Sequence, residues 1–223
     1  MRALLLPIKD LRNAKQRLAG ILSPEQRFGL AQAMLADTMK AVQGIRSTVT
    51  VFVITNYEPA AIVAQESGWQ LLREEQQTSE SASVDAASRI CEERGVTSLL
   101  RLPLDLPLVQ SADIEALLTV ACPTPGMLIV PSRDGTGTNA LLRTPPTLFP
   151  SRFGTGSFAK HCREAGHAGG RVIIHRNVRL EMDLDDASDL RMILRQDLGR
   201  TETGRWLEAH RIASLLEGRA AHA

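Results

Sequence analysis

The sequence predicts an α/β fold with a mostly parallel central sheet flanked by helices, in a single domain over residues 1–223. Three features predict it. Apolar runs of strand length alternate with segments of helical periodicity, the pattern of successive βαβ units. The run at 3–8 is apolar on both faces, 48–55 is β-branched and apolar, and 98–102 is built on Leu99, Leu100 and Leu102, as strands covered on both faces are. The run at 98–102 ends at Asp105, a lone carboxylate between Pro103 and Pro107. Pro107 cannot donate to a strand ladder, so pairing stops there. An acid is thereby placed at the carboxyl end of a central strand, where open α/β sheets bind ligands.

The elements follow in order. After the first strand, residues 9–17 carry four cations, among them Lys9, Lys15 and Arg17. Ser23, Pro24 and Gln26 spell an N-cap, a first-turn proline and a capping-box partner, and open a helix. Phe28, Ala31, Leu35, Thr38 and Val42 give that helix one core face, and Gly44 ends it. A strand at 48–55, a helix at 59–66 and a strand at 69–72 come next. The polar stretch 76–83 reads as loop, 84–94 as a helix ended by Gly95. The strand at 98–102 leads to Asp105. A helix over 111–121 has Ser111 as cap and Asp113 and Glu115 in its first turn. A strand covers 127–131.

The alternation then breaks. Residues 132–139 and 153–158 are Gly-rich turns, the second opening a helix through Ala165. A strand at 172–175 precedes the acidic cluster Asp183-Leu184-Asp185-Asp186, and a helix covers 187–198. The tail, 199–223, holds one more amphipathic helix with Trp206, Leu207, Ala213 and Leu216 on its stripe. It is expected to dock on the domain or across a homodimer contact.

Composition narrows the function classes. Of 223 residues 43% are apolar and 23% charged, as in a soluble globular protein. A net charge of +1 gives no reason to expect nucleic acid or an anionic membrane as partner. Aromatic residues, at 4%, are too few for a base-stacking platform. Cys91, Cys122 and Cys162 lack C-x-x-C spacing, so reduced thiols in the cytoplasm are expected rather than disulfides or zinc. No apolar run reaches membrane-spanning length, and the one at the start is too short for a signal peptide.

Each candidate site residue also has a structural reading. Asp105 is a turn residue or a ligand-facing acid. Asp183 and Asp185 either cap the next helix or meet Asp105 to hold a hard cation, and both readings can coexist. The cationic segment is a solvated loop or a phosphate grip; it lacks Walker spacing. The glycines at 135, 137, 154 and 156 mark plain turns or loops whose N–H groups approach an anion. His161 and Cys162 point in different directions on a helix, so His161 suits a phosphate contact better than a catalytic pair.

In this order the motifs resemble those of the guanylyltransferases of deazaflavin coenzyme F-420 biosynthesis. They are Leu6-Pro7-Ile8-Lys9, Ala14-Lys15-Gln16-Arg17-Leu18, Leu104-Asp105-Leu106-Pro107-Leu108, Asp134 to Leu141, Phe153 to Phe158, and Met182-Asp183-Leu184-Asp185. The resemblance implies a Rossmann-like, GT-A type nucleotidyltransferase fold. It also implies transfer of GMP from GTP to a phosphorylated three-carbon acid with release of pyrophosphate. The acceptors of that family are 2-phospho-L-lactate, phosphoenolpyruvate and 3-phospho-D-glycerate. By the resemblance, Lys9, Lys15 and Arg17 hold the GTP phosphates, with Lys9, Lys15 and Asp105 central to catalysis. Asp105, Asp183 and Asp185 hold Mg2+, and Thr138, Gly154 and Ser157 face the acceptor. Ser83 and Asp85 lie near the base, where Asp85 replaces the family's usual Asn. Rival readings are a pterin or sugar-phosphate nucleotidyltransferase and a non-catalytic nucleotide-binding module.

Overall fold

A computed structural model describes residues 1–220, with side chains described to residue 216. Seven strands form one sheet: β1 (Arg2–Ile8), β2 (Thr50–Thr55), β3 (Gln70–Arg73), β4 (Ser98–Arg101), β5 (Gly126–Pro131), β6 (Thr138–Thr144) and β7 (Arg171–Ile174). Their spatial order is β3-β2-β1-β4-β6-β5-β7. All pairings are parallel except those of β6, which runs against both β4 and β5. The sheet is therefore mixed, with a single reversed strand. That reversal brings the amino end of β6 to the same edge as the carboxyl ends of β1, β4 and β5. The chain also reverses its winding between β1 and β4, where a crevice opens in such sheets.

The central strands are mostly apolar because both faces are covered, with Arg101 in β4 and Arg143 in β6 buried among them. Leu4, Leu6 and Ile8 enter one core with Met39, Val42 and Ile114, and Ala3 and Leu5 enter the opposite one with Val84, Ala87 and Cys91. The first core lies under α1 (Pro24–Gln43), α2 (Glu58–Glu66) and α4 (Ser111–Thr119); the second lies under α3 (Glu80–Glu93). The remaining helices are α5 (Ser157–His167), α6 (Val178–Glu181), α7 (Ala187–Ile193), α8 (Glu202–Ala209) and α9 (Ile212–Ala220). None is long and apolar enough to cross a membrane among the described residues.

Several local expectations are corrected. α3 starts at Glu80, inside the stretch read as loop, because Ser79 caps it by accepting from the Ala82 N–H. Gln110, not Ser111, is the N-cap of α4, and its N–H donates to Asp113. Gly44 ends α1 as expected but at φ −81°, an ordinary value. Glycine is needed there for space, since a Cβ would come within 2.3 Å of Ser111 Oγ. α1 buries two faces, not one: Met39 and Val42 meet the sheet, while Leu30 and Met34 meet Leu207, Ile212 and Leu216. The tail thus docks on α1, as two helices broken at Arg211 (φ +51°) rather than one. Its last three residues lie outside the described part.

Candidate active site

A cleft of about 520 Å³ opens at the carboxyl edge of the sheet. Asp105 stands on the turn after β4, and the Leu184 N–H donates to the Asp105 carbonyl at 3.0 Å. This one backbone bond stitches the two acidic segments together across the sequence. Lys15 reaches between them: Nζ lies 3.2 Å from Asp105 Oδ2 and 2.8 Å from Asp185 Oδ1. Lys15 sits at φ 53°, a left-handed conformation uncommon outside glycine and costly to hold. Arg17 approaches Asp185 from the solvent side at 3.9 Å. Asp183 accepts from Asn139 Nδ2, at the amino end of β6.

The charges of these acids diverge. Burial opposes ionisation of Asp105, but Lys15 and then Arg101 outweigh it and hold the carboxyl below its usual range. Burial also works against the Lys15 ammonium, yet Asp105 and Asp185 raise its pKa. Asp183 makes no ion pair among the described residues. Burial, then the Asp105 charge, push it up to about 6. The capping alternative for Asp183 and Asp185 is overturned. Asp186 caps α7 and Asp189 completes its capping box, accepting from the Asp185 and Asp186 N–H groups. Among the described residues no three acids, histidines or cysteines group closely enough to hold a metal unaided.

The opposite wall is built from β6 and the two Gly-rich turns. Thr138, Gly154 and Ser157, the residues that the resemblance sets toward the acceptor, line it. Gly154 (φ +103°) and Gly156 (φ +68°) form the bend that opens α5. That helix has neither a side-chain cap nor an acid in its first turn, and its amino end meets the cleft with the Ser157 and Phe158 N–H groups donating to the Gly154 and Thr136 carbonyls. Behind it His161 is fully buried, which overturns the phosphate-contact reading. Its Nε2 accepts from the Arg152 N–H at 2.8 Å, so Nδ1 carries the proton and donates to Thr138 Oγ1 at 3.0 Å. Burial, then Arg143 and Arg101, lower its pKa to about 3 and keep it neutral. The Thr138 hydroxyl proton is left to point elsewhere.

Other expected residues lie apart from this cleft. Lys9 is exposed just past β1 and makes no ion pair among the described residues. Ser83 is buried and donates to Glu74. Asp85 faces inward: it pairs with Arg143 at 3.3 Å and accepts from the Ser151 N–H. It ties α3 to β6 and the 145–151 loop, and neither it nor Ser83 forms the cleft wall. Arg101, Glu80 and Asn139 do form the wall, without a role assigned from sequence. Arg101 did carry a signal, as a cation inside an otherwise apolar central strand.

The sequence matches the family model described as "Guanylyl transferase CofC like" over residues 1–214. It is 38% identical over 186 residues to a phosphoenolpyruvate guanylyltransferase of Rubrobacter xylanophilus, covering 83% of this chain and 89% of that one. It is 32% identical over 190 residues to a 2-phospho-L-lactate guanylyltransferase of Methanothermobacter thermautotrophicus, covering 85% and 82%. In fold it is similar to a nucleotidyl transferase of the same archaeon, with a TM-score of 0.58 at 16% identity over 94% and 99% of the two chains.

Proposed function

We propose, on the premise that this chain belongs to the CofC-like guanylyl transferase family, that it transfers GMP from GTP to a phosphorylated three-carbon acid. Family membership makes it an enzyme of the nucleotidyltransferase class acting on a small phosphorylated acid. The finer reading, including a GT-A type fold and a place in coenzyme F-420 biosynthesis, is our proposal. The observation that carries it is the juxtaposition of Lys15, Asp105, Asp183 and Asp185 with the start of α5 in one cleft.

An acceptor phosphate oxygen attacks the α-phosphorus of GTP, the bond to the β-bridging oxygen breaks, and pyrophosphate leaves with its electron pair. The acceptor phosphate is largely ionised at neutral pH, its second pKa being about 6, so no general base is needed. What the chain must supply is position and charge balance. Lys15 and Arg17 bring cations to the acidic end, and the Thr138 and Ser157 hydroxyls offer donors to the acceptor. Carboxylate oxygens are the donors a hard divalent cation takes, so Asp105, Asp183 and Asp185 suit Mg2+. Held there beside the nucleotide phosphates, Mg2+ would neutralise charge that otherwise repels the attacking phosphate.

A product screen tests this. The protein is incubated with Mg2+, each of GTP, ATP, CTP and UTP, and each of phosphoenolpyruvate, 2-phospho-L-lactate and 3-phospho-D-glycerate. GTP with one of the acids is expected to give the diphosphodiester and one pyrophosphate per product by mass spectrometry. No product with any acid, or equal turnover with CTP or ATP, overturns the proposal.

A further inference from the structure

Arg101 ends β4 with its side chain buried, at 6% exposure, on the wall of the cleft. A guanidinium has five N–H donors, and burying it is costly unless they are used. Nη2 donates to the Glu80 carboxylate. Nη1 reaches only the carbonyls of Thr138 and Asn139, at 3.4 and 3.3 Å, the long limit for such bonds. Nε, also buried, has no hydrogen-bond partner among the described residues. The Phe153 ring covers one face of the group at 4.3 Å and fixes its plane. Glu80 therefore uses half of the Nε–Nη2 edge, the edge that a carboxylate grips with both oxygens.

The position of Arg101 narrows what would fill that edge. The reacting phosphate of the acceptor belongs at the acidic end, beside Asp105 and Lys15. Arg101 lies on the β6 wall of the cleft, with Nη1 against the Thr138 and Asn139 carbonyls and Nη2 on Glu80, so it faces the part of a three-carbon acid that the Thr138 wall receives. We propose that Arg101 is a specificity-determining residue that binds the acceptor's carboxylate through its Nε–Nη2 edge, with Glu80 as the internal competitor this carboxylate displaces. This rests on the transferase reading above. It requires Arg101 to select acids over neutral phosphate esters and to leave GTP binding alone.

The test compares acids with analogues in which hydroxymethyl replaces the carboxylate. The pairs are 3-phospho-D-glycerate with glycerol 3-phosphate, and 2-phospho-L-lactate with 1,2-propanediol 2-phosphate. The wild type is expected to favour the acid by roughly 10²-fold in kcat/KM, the scale of a charge-assisted pair. Arg101→Gln should reduce that preference to within about threefold, with the KM for GTP unchanged. Glu80→Gln should lower the KM for the acid several-fold, and it decides the matter if Arg101→Gln does not fold. An acid preference that persists in folded Arg101→Gln, or an unchanged or raised acid KM in Glu80→Gln, overturns the proposal. If the wild type turns over neither acid nor phosphoenolpyruvate, the transferase reading itself fails and takes this role with it.

Discussion

The two ends of the cleft are built on opposite plans. At the acidic end Asp105 and Asp185 are 30% and 38% exposed, and their charges are shared with a single lysine reaching across from the loop after β1. At the other end His161 is wholly buried and neutral, held by the Arg152 N–H on one ring nitrogen and fixing Thr138 by a hydrogen bond from the other. The first end is adjustable: its charges can regroup around phosphates and a cation. The second is set in advance by packing. The difference suits a reaction in which charge must be neutralised at one place and an acceptor oriented at another.

The largest effect is expected where charge does the chemistry. Asp105→Asn keeps size and removes one charge, and should lower kcat by about 10²-fold or more, as loss of one preorganised electrostatic contact does. Its melting temperature should stay close to that of the wild type. Near-normal turnover would reduce the acidic end to a structural turn. Asp85→Asn should do the reverse. Arg143 is buried and relies on Asp85, so the variant should lose about 1–3 kcal/mol of stability in denaturant unfolding. Its KM for GTP should not move; a rise without loss of stability would return Asp85 to the base-reading role.

The smallest effect concerns the buried end and acid. His161 has its folded pKa lowered to about 3 by burial, then by Arg143 and Arg101, against 6.5 for a free histidine. Below pH 6.5 the unfolded chain gains a proton that the folded one does not. Stability is therefore full above 6.5 and falls as pH falls toward 3. Between pH 6 and 5 this single group should cost about 1 kcal/mol. His161→Asn lacks that proton and should show a shallower decline over the same unit, measured by urea unfolding. Equal slopes would mean that His161 is not held neutral.

Much of this was legible because local chemistry specified it. The Ser23-Pro24-Glu25-Gln26 cap, the doubly apolar strands and the acid after β4 each follow from a few neighbouring residues, and all appear where expected. Errors fell where a distant contact decides. Periodicity along α1 registers a single stripe, while its second buried face exists through α8 and α9. The motif sets Asp85 near the base, and in the structure Arg143 and Ser151, 58 and 66 residues on, hold its carboxylate.

Residue types and local spacing suffice for most of the strands and helices, for the family, and for the acids and cations needed for phosphate chemistry, but not for the reversed strand β6 or the break between α8 and α9. Which of them meet depends on how the sheet is ordered. The reversed β6 delivers Thr138 and Asn139 to the edge that holds Asp105. The bond from the Leu184 N–H to the Asp105 carbonyl brings Asp183 and Asp185 beside it. Lys15 then separates the charges of Asp105 and Asp183 by touching one and not the other. Coulomb energies and desolvation depend on distances through space, and those distances are fixed by sheet order and not by position along the chain.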